Sequence, residues 1–249
     1  MAEKVNKGDF VELDYVGLLK EPNVVFDTNI AAVAKKEGLF DPKMTYGPVS
    51  ICIGQGQILQ GLDASLEGLE IGKEAELLLP PERAFGRKDG KLMKLVPTSA
   101  FKKQNINPVV GLQINIDGMV GTVRTVTGGR TVVDFNHPFA GKEIIYKVTI
   151  KRKLTDDKEK VMALVELALN QKRDAIGIDV KEGKATISIK KELPEELLNM
   201  LKERITKLMP SIKSVEFRTE KPEGKTDAKK KEQPAKTAKP AEKQEHKDA

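Results

Sequence analysis

The chain has 249 residues with 43 Lys and Arg against 37 Asp and Glu, a formal net charge of +6, no Trp and one Cys. This length allows two or three domains, and the single Cys52 cannot form an intrachain disulfide, which favours a reducing cytoplasm. The charged N-terminus argues against a signal peptide. The lack of any apolar run of ~20 residues argues against a membrane span. We interpret the charge as spread along the chain, and this, with only three Tyr, argues against nucleic-acid binding.

The first 86 residues predict strands followed by one short helix. Asp9–Leu19 alternates as a strand, with Val11, Leu13, Tyr15 and Leu19 on one face. Further strands are predicted for Val49–Ile53 and Lys73–Leu79, and an amphipathic helix for Gln60–Glu67. Glu143–Ile150 also alternates, so we expect it to close the sheet that Asp9–Leu19 begins.

A second, smaller β-rich unit is predicted between Gly86 and Phe135. Its strand-like runs are Leu112–Ile116, Met119–Val126 and Arg130–Phe135, joined by the turn signals Asp117-Gly118 and Gly128-Gly129. Because the first sheet resumes only afterwards, this unit is interpreted as an insertion into it.

The C-terminal third predicts the order αββαβ, which favours a ferredoxin-like module. Asp156 is the expected N-cap of its first helix, with Glu159 completing a capping box, and Pro194 starts the second helix. A hairpin of Ala175–Lys181 and Lys184–Lys190 and a last strand, Ile212–Arg218, supply the sheet. Phe217 is its only aromatic residue, which argues against an RNA-binding sheet. Residues 220–249 are rich in Lys, Glu, Ala and Pro, and we expect them to be disordered.

Common catalytic constellations are missing from the sequence. One internal histidine, His137, and one cysteine leave no Ser–His–Asp or Cys–His arrangement, and no phosphate-binding loop or metal-ligand spacing is present. We therefore predict no cofactor and no metal.

Four segments in order resemble the FKBP-type peptidyl-prolyl cis–trans isomerases: VELDYVGLL, FDTN, GQGQILQGLDASLEGLEIGKEAELLLPPERAFG and NHPFAGKEIIYKVTI. The insertion is similar to the SlyD-like subgroup, in which an insert-in-flap chaperone domain interrupts the sheet, and the resemblance spans about Lys4 to Arg152. It implies an α+β fold: an antiparallel half-barrel wrapping a short helix (1–86 and 136–153), interrupted by the insert (87–135). The C-terminal α+β module (154–219) and the tail (220–249) are predicted from pattern and composition alone.

The resemblance implies an apolar pocket for proline. Its catalytic positions are Tyr15, Asp27, Phe85 and Tyr146, and its substrate-binding positions are Phe26, Ile58, Leu59 and Leu62. Leu62 stands where many members carry Trp, and Phe85 replaces a Tyr whose hydroxyl can hold a substrate carbonyl. Rotation about an X–Pro bond needs no proton abstraction, since its barrier of about 18–20 kcal/mol comes from amide resonance. His137, where the insert returns to the sheet, is predicted to be framework rather than catalytic.

The expected partners are unfolded or partly folded polypeptides that contain proline. Apolar residues of the insert are predicted to bind these clients: Leu92, Met93, Leu95, Val96, Phe101, Ile114 and Met119. The alternative is a non-catalytic holdase on the same scaffold. A homodimer through an open edge of the C-terminal sheet is a further hypothesis.

Overall fold

The computed structural model describes residues 3–116, 118–169, 171, 173–190 and 193–219. The predicted disordered tail, its His246 and Asp117 of the predicted turn lie outside these ranges. The strands are β1 (Phe10–Leu19), β2 (Val24–Thr28), β3 (Val49–Cys52), β4 (Glu74–Leu79), β5 (Met93–Pro97), β6 (Gln113–Ile116), β7 (Met119–Thr127), β8 (Arg130–Asp134), β9 (Ile144–Lys153), β10 (Ile176–Lys181), β11 (Lys184–Ile189) and β12 (Ser214–Thr219). The helices are α1 (Ala31–Lys36), α2 (Gln60–Leu66), α3 (Thr98–Lys103), α4 (Asp157–Leu169) and α5 (Glu195–Leu208).

The first sheet is an antiparallel half-barrel with strand order β2-β1-β9-β4. β1 is long enough to pair with β3 through its first half and with β2 through its second half, while β9 runs along its other side. The predicted pairing of β1 with the 143–150 segment is therefore confirmed. The alternating residues Val11 and Leu13 of β1 and Ile144 and Val148 of β9 are buried against Leu62 of α2.

The insert forms its own four-stranded sheet in the order β5-β8-β7-β6. Its hydrophobic core is small, with a buried cluster of four apolar side chains: Phe101, Ile114, Val123 and Val133. Two of its elements, β5 and α3, were not predicted from the sequence. The β5 segment contains Lys94 and ends in Pro97, so its composition does not mark it as a strand.

A polar anchor joins the insert to the half-barrel. The buried Asp134 carboxylate accepts hydrogen bonds from Asn136, Arg124 and Lys88. Asn136 in turn exchanges two hydrogen bonds with the backbone of Asp89, at 2.8 and 3.0 Å. These bonds hold the outgoing and returning chain segments side by side.

The C-terminal module has the predicted order αββαβ, but its ferredoxin-like assignment is not confirmed. β11 lies directly beside β12 in parallel in a three-stranded sheet of order β10-β11-β12, whereas a split module interposes a strand between such a pair. The Asp156 side chain caps α4 by accepting a hydrogen bond from the Lys158 N–H. The predicted capping box is wrong, because the Glu159 carboxylate binds the Arg152 guanidinium at 2.9 Å instead.

The C-terminal module packs directly on the half-barrel. Phe10 and Cys52 of the first sheet are buried in the same cluster as Leu154 and the module's helices. Around this contact, the Arg152 guanidinium bridges Glu12 of β1 and Glu159 of α4. The two units are therefore joined by a shared hydrophobic core and by ion pairs, and not by a loose linker alone.

No helix within the described ranges is both long and apolar enough to cross a membrane. The same ranges contain no cluster of three or more His, Cys, Asp or Glu side chains suited to hold a metal ion.

Candidate functional site

Aromatic side chains from three parts of the half-barrel converge on one side of the sheet. Phe26 of β2 lies 5.9 Å from Phe85, 6.1 Å from Tyr146 of β9 and 4.7 Å from Phe139, measured between ring centroids. Tyr15 of β1 completes the group, 6.0 Å from Tyr146. Most of these pairs meet edge to face, the arrangement that the charge distribution of aromatic rings favours. Together these five side chains form one apolar surface, the aromatic wall of the site.

Gly17 makes this packing feasible, and the sequence interpretation missed it. It lies in β1 opposite Asp27 of β2 and Tyr146 of β9. A Cβ atom on Gly17 would lie 2.9 Å from Cε1 of Tyr146 and 3.1 Å from Cζ of Phe26. A strand glycine at a position of close approach is a recognisable signal, but only after its neighbours are known.

Tyr15 and Asp27 form the polar part of the site. The Tyr15 hydroxyl donates to Oδ1 of Asp27 over 3.4 Å, which is long for such a bond. Burial raises the pKa of the Asp27 carboxyl, and the bonds from Tyr15 and from the Thr28 N–H partly offset that rise. Burial, with the nearby Asp27 charge, also raises the pKa of both Tyr15 and Tyr146, so both hydroxyls stay neutral donors at neutral pH.

The segment before α2 supplies the other side of the site. Ile58 and Leu59 are half-buried against the half-barrel core, and Leu62 of α2 is 3% exposed. The turn that carries them is held by Asp63, whose carboxylate accepts from the Gly54 and Gly56 N–H groups at 2.8 and 2.7 Å. The rigid turn fixes where Ile58 and Leu59 stand.

His137 extends the aromatic wall outward. Its ring stacks on Phe85 with a centroid distance of 4.5 Å and an interplanar angle of 4°. Its Nδ1 accepts a hydrogen bond from the Phe139 N–H at 3.2 Å. The predicted framework role thus takes a specific form, since one side chain contacts two wall residues. Phe139 itself was missed by the sequence interpretation.

This arrangement lacks a conventional acid–base pair or nucleophile. Cys52, whose pKa is raised to about 11 by burial, lies in the interface with the C-terminal module. What the aromatic group offers is a low-dielectric surface with neutral hydroxyl donors at its edge. Such a surface suits a change of conformation in a bound apolar group, because it excludes water from that group.

A cavity of about 450 Å³ lies elsewhere, between the 45–50 segment and α4. The charged Arg173 in its wall is already paired with Glu166 at 2.8 Å and with Glu12 at 3.5 Å. The Arg173 guanidinium is therefore already satisfied by carboxylates, and the aromatic site has the more specific chemistry.

The predicted client-binding residues of the insert divide into two groups. Leu92, Met93, Leu95 and Met119 are exposed, Leu95 by 59% and Met119 by 49%. Phe101 and Ile114 are only 5% and 8% exposed, and Val96 packs beside them. Phe101 and Ile114 are thus corrected to core residues, because they supply two of the four side chains in the insert's buried hydrophobic cluster.

Known families match both parts of the chain. The family model "FKBP-type peptidyl-prolyl cis-trans isomerase" matches residues 1–102, and the model "FKBP26, IF domain" matches residues 94–139. The "Short-type peptidyl-prolyl cis-trans isomerase" of Methanocaldococcus jannaschii is 31% identical over 151 residues, 61% of this chain and 95% of that protein.

A second relative is the "FKBP-type peptidyl-prolyl cis-trans isomerase SlyD" of Treponema pallidum. It is 31% identical over 125 residues, covering 48% of this chain and 70% of that protein. A crystal structure of the three FKBP domains of wheat FKBP73 aligns with a TM-score of 0.33 and 17% identity, over 63% of this chain and 43% of that one. That structural similarity is too low to carry any part of the assignment.

Proposed function

The chain belongs to the FKBP-type peptidyl-prolyl cis–trans isomerases (EC 5.2.1.8), with SlyD-like relatives and an insert-in-flap domain, and from this premise we propose how its residues act. The aromatic group around Phe26 binds the proline ring, and the insert binds the unfolded polypeptide that presents it. The observation that carries this proposal is the convergence of three rings on Phe26, since the ring centroids of Phe85, Phe139 and Tyr146 each lie within about 6 Å of its own.

Rotation is accelerated by desolvation of the peptide bond. The planar X–Pro amide is strongly dipolar, and its resonance opposes rotation with about 18–20 kcal/mol. At the twisted transition state the resonance and much of the dipole are lost. An apolar surface therefore disfavours the planar form more than the twisted one, which lowers the barrier. Phe26, Phe85 and Tyr146 form that surface.

Polar groups at the rim orient the substrate. Neither the Ile58 nor the Leu59 N–H has an acceptor among the described residues, so either is available to a peptide carbonyl. The Tyr15 hydroxyl, held toward Asp27, faces the region where the rotating carbonyl lies. Phe85 has no hydroxyl, so this orientation depends on the two tyrosines and the backbone.

The insert raises the concentration of prolines near the pocket. The exposed Leu92, Met93, Leu95 and Met119 bind apolar segments of a client, while the pocket samples its prolines in turn. Tethering of this kind increases effective concentration without any change in the pocket. It predicts a much larger rate advantage on proteins than on short peptides.

The C-terminal module is proposed to form a homodimer. β10 and β12 each pair with only one strand among the described residues, which leaves edges that a second copy can extend. Sedimentation of the full chain tests this. A monomer at concentrations well above micromolar contradicts it.

Proline-limited refolding of an unfolded protein tests the central proposal. The intact chain is compared with Asp27→Ala and with a variant in which Leu92–Arg130 is replaced by a short loop. We expect the intact chain to accelerate the slow phase, and the loop variant to act on short peptides only. The Asp27→Ala variant should lose activity on both substrates while still binding clients.

The rival holdase function makes an opposite prediction. If no variant changes the slow phase while the intact chain still suppresses aggregation, the proposed mechanism fails. Circular dichroism of each variant separates loss of activity from loss of fold.

A further inference from the structure

The net positive charge of this protein is concentrated in the insert, which corrects the interpretation that it is spread along the chain. Residues 87–135 hold eight Lys and Arg and three Asp, a net +5 out of +6 for the whole chain. One of those carboxylates, Asp134, is already paired with Lys88 and Arg124. Arg87 binds Glu82 of the half-barrel.

Five basic side chains of the insert remain exposed with no ion-pair partner among the described residues: Lys91, Lys94, Lys102, Lys103 and Arg130. The two remaining acidic residues of the insert's sequence, Asp89 and Asp117, are too few to neutralise them. Elsewhere in the described chain, Lys and Arg repeatedly pair with Asp or Glu, as in the bridges of Arg152 and Lys153. The insert therefore presents an unbalanced positive field.

Basic and apolar residues alternate along one accessible strand. The sequence Lys91-Leu92-Met93-Lys94-Leu95 leads into β5, and all five residues are exposed. Among the described residues β5 pairs with β8 alone, so its other side carries backbone groups that can accept another strand. Met93 and Leu95 fall on one face of β5 and Lys94 on the other.

We propose that the insert selects extended polypeptide segments in which acidic residues are interspersed with apolar ones. The segment adds to the free edge of β5, its apolar side chains contact Met93 and Leu95, and its carboxylates meet Lys91 and Lys94. This inference rests on the proposed function, since it specifies which clients the insert binds. It makes the basic residues determinants of specificity, because charge complementarity discriminates among partners.

A nucleic acid is the other polyanion that a basic surface attracts, but the insert lacks what single strands require. Phe101 is buried in the core and Phe135 is half-buried against it, so no exposed aromatic ring is present among its described residues for bases to stack on. A free strand edge, in contrast, matches the backbone of a peptide.

The test uses short proline-free peptides that share one apolar pattern and differ in the alternating residue: Glu, Gln or Lys. Without proline, binding at the isomerase pocket is not measured. Fluorescence anisotropy with the full chain should give affinity in the order Glu, Gln, Lys. We expect roughly a tenfold difference between the extremes at low salt, diminishing as salt is added.

Charge reversal identifies the residues responsible. Lys91→Glu with Lys94→Glu should invert the order, so that the Lys peptide binds best. The matched control, Lys36→Glu with Lys43→Glu, makes the same change in net charge at two exposed positions outside the insert and should leave the order unchanged.

Three other outcomes would each contradict a different claim. Equal binding of all three peptides overturns charge selection but leaves client binding by the insert intact. No binding of any peptide, together with unimpaired aggregation suppression by the loop variant, overturns the proposed function itself. Tighter binding of a single-stranded RNA oligonucleotide than of the Glu peptide overturns this inference in favour of a nucleic-acid surface.

Discussion

The half-barrel and the insert are both antiparallel sheets, but they differ in how large a hydrophobic core each one buries. Thirteen side chains are buried in the half-barrel cluster, against four in the insert. The half-barrel also gains from the C-terminal module, which covers Phe10 and Cys52. A large core holds aromatic rings in one arrangement, whereas a small one leaves apolar residues exposed for partners. The function proposed above accordingly assigns the chemistry that requires fixed geometry to the first sheet and the recognition of varied chains to the second.

The largest expected effect is the selective unfolding of the insert by Phe101→Ala. Removing a buried phenyl ring costs about 3–5 kcal/mol, and here it removes one of only four core side chains. Hydrogen exchange should show the insert's amides unprotected and those of β1 and β9 protected. Refolding activity on a protein client should be lost while activity on a short peptide is kept.

Val110→Ala is the control for this substitution. Val110 belongs to the same insert but is 69% exposed, so its truncation should change stability by less than about 0.5 kcal/mol. If Phe101→Ala instead unfolds the whole chain in one transition, the two regions are not independent and the comparison above is wrong.

The second effect falls on the pocket alone. Gly17→Ala places a Cβ against Tyr146 and Phe26, and overpacking of this kind costs about 1–3 kcal/mol. If the rings move to relieve it, kcat/KM on a short proline peptide should fall by about tenfold or more. Gly90→Ala, whose Cβ would meet open space in the insert, should leave kcat/KM unchanged. Full activity of Gly17→Ala would show that the rings need no fixed packing.

Periodicity predicted the half-barrel well, because its two central strands, β1 and β9, each span ten residues. Ile144, Tyr146, Val148 and Ile150 were expected on one face, and all four are buried. The insert was harder to predict. Its strands are short and its apolar residues lie on both faces, so the pattern does not separate core residues such as Phe101 from exposed ones such as Leu95.

The residues of the site could not all be predicted from the sequence of any single strand or helix. Tyr15 and Asp27 were expected from the resemblance to a family, and they lie on adjacent strands. Gly17 and Phe139 were missed because their importance comes from contacts made by distant parts of the chain. The misassigned capping box has the same origin, since a tertiary ion pair with Arg152 outcompeted a local bond for Glu159.

The third effect concerns the junction between the two regions, where His137 contacts both Phe85 and Phe139. His137→Phe keeps the ring stack and loses the acceptor, whereas His137→Asn keeps an acceptor and loses the stack. Each contact is worth about 0.5–1.5 kcal/mol, so each variant should lose a few-fold in kcat on a short peptide. His137→Ala should lose more than either, with little change in thermal stability.

A purely structural role for His137 gives a different pattern. In that case the activities of the three variants would follow their melting temperatures. Wild-type activity of His137→Ala would remove the residue from the site altogether.

The smallest effect is a change in how stability depends on pH, and it isolates the polar rim of the pocket. Burial raises the pKa of Asp27 above its ordinary value of 3.8, so between that value and the raised one the folded state binds more protons than the unfolded state. Stability therefore falls as pH rises through this window, and Asp27→Asn should abolish that fall. Tyr15→Phe should steepen it, since it removes a hydroxyl that favours the charged carboxylate. Urea denaturation at a series of pH values measures both slopes, and parallel curves for all three proteins would show that Asp27 is not desolvated.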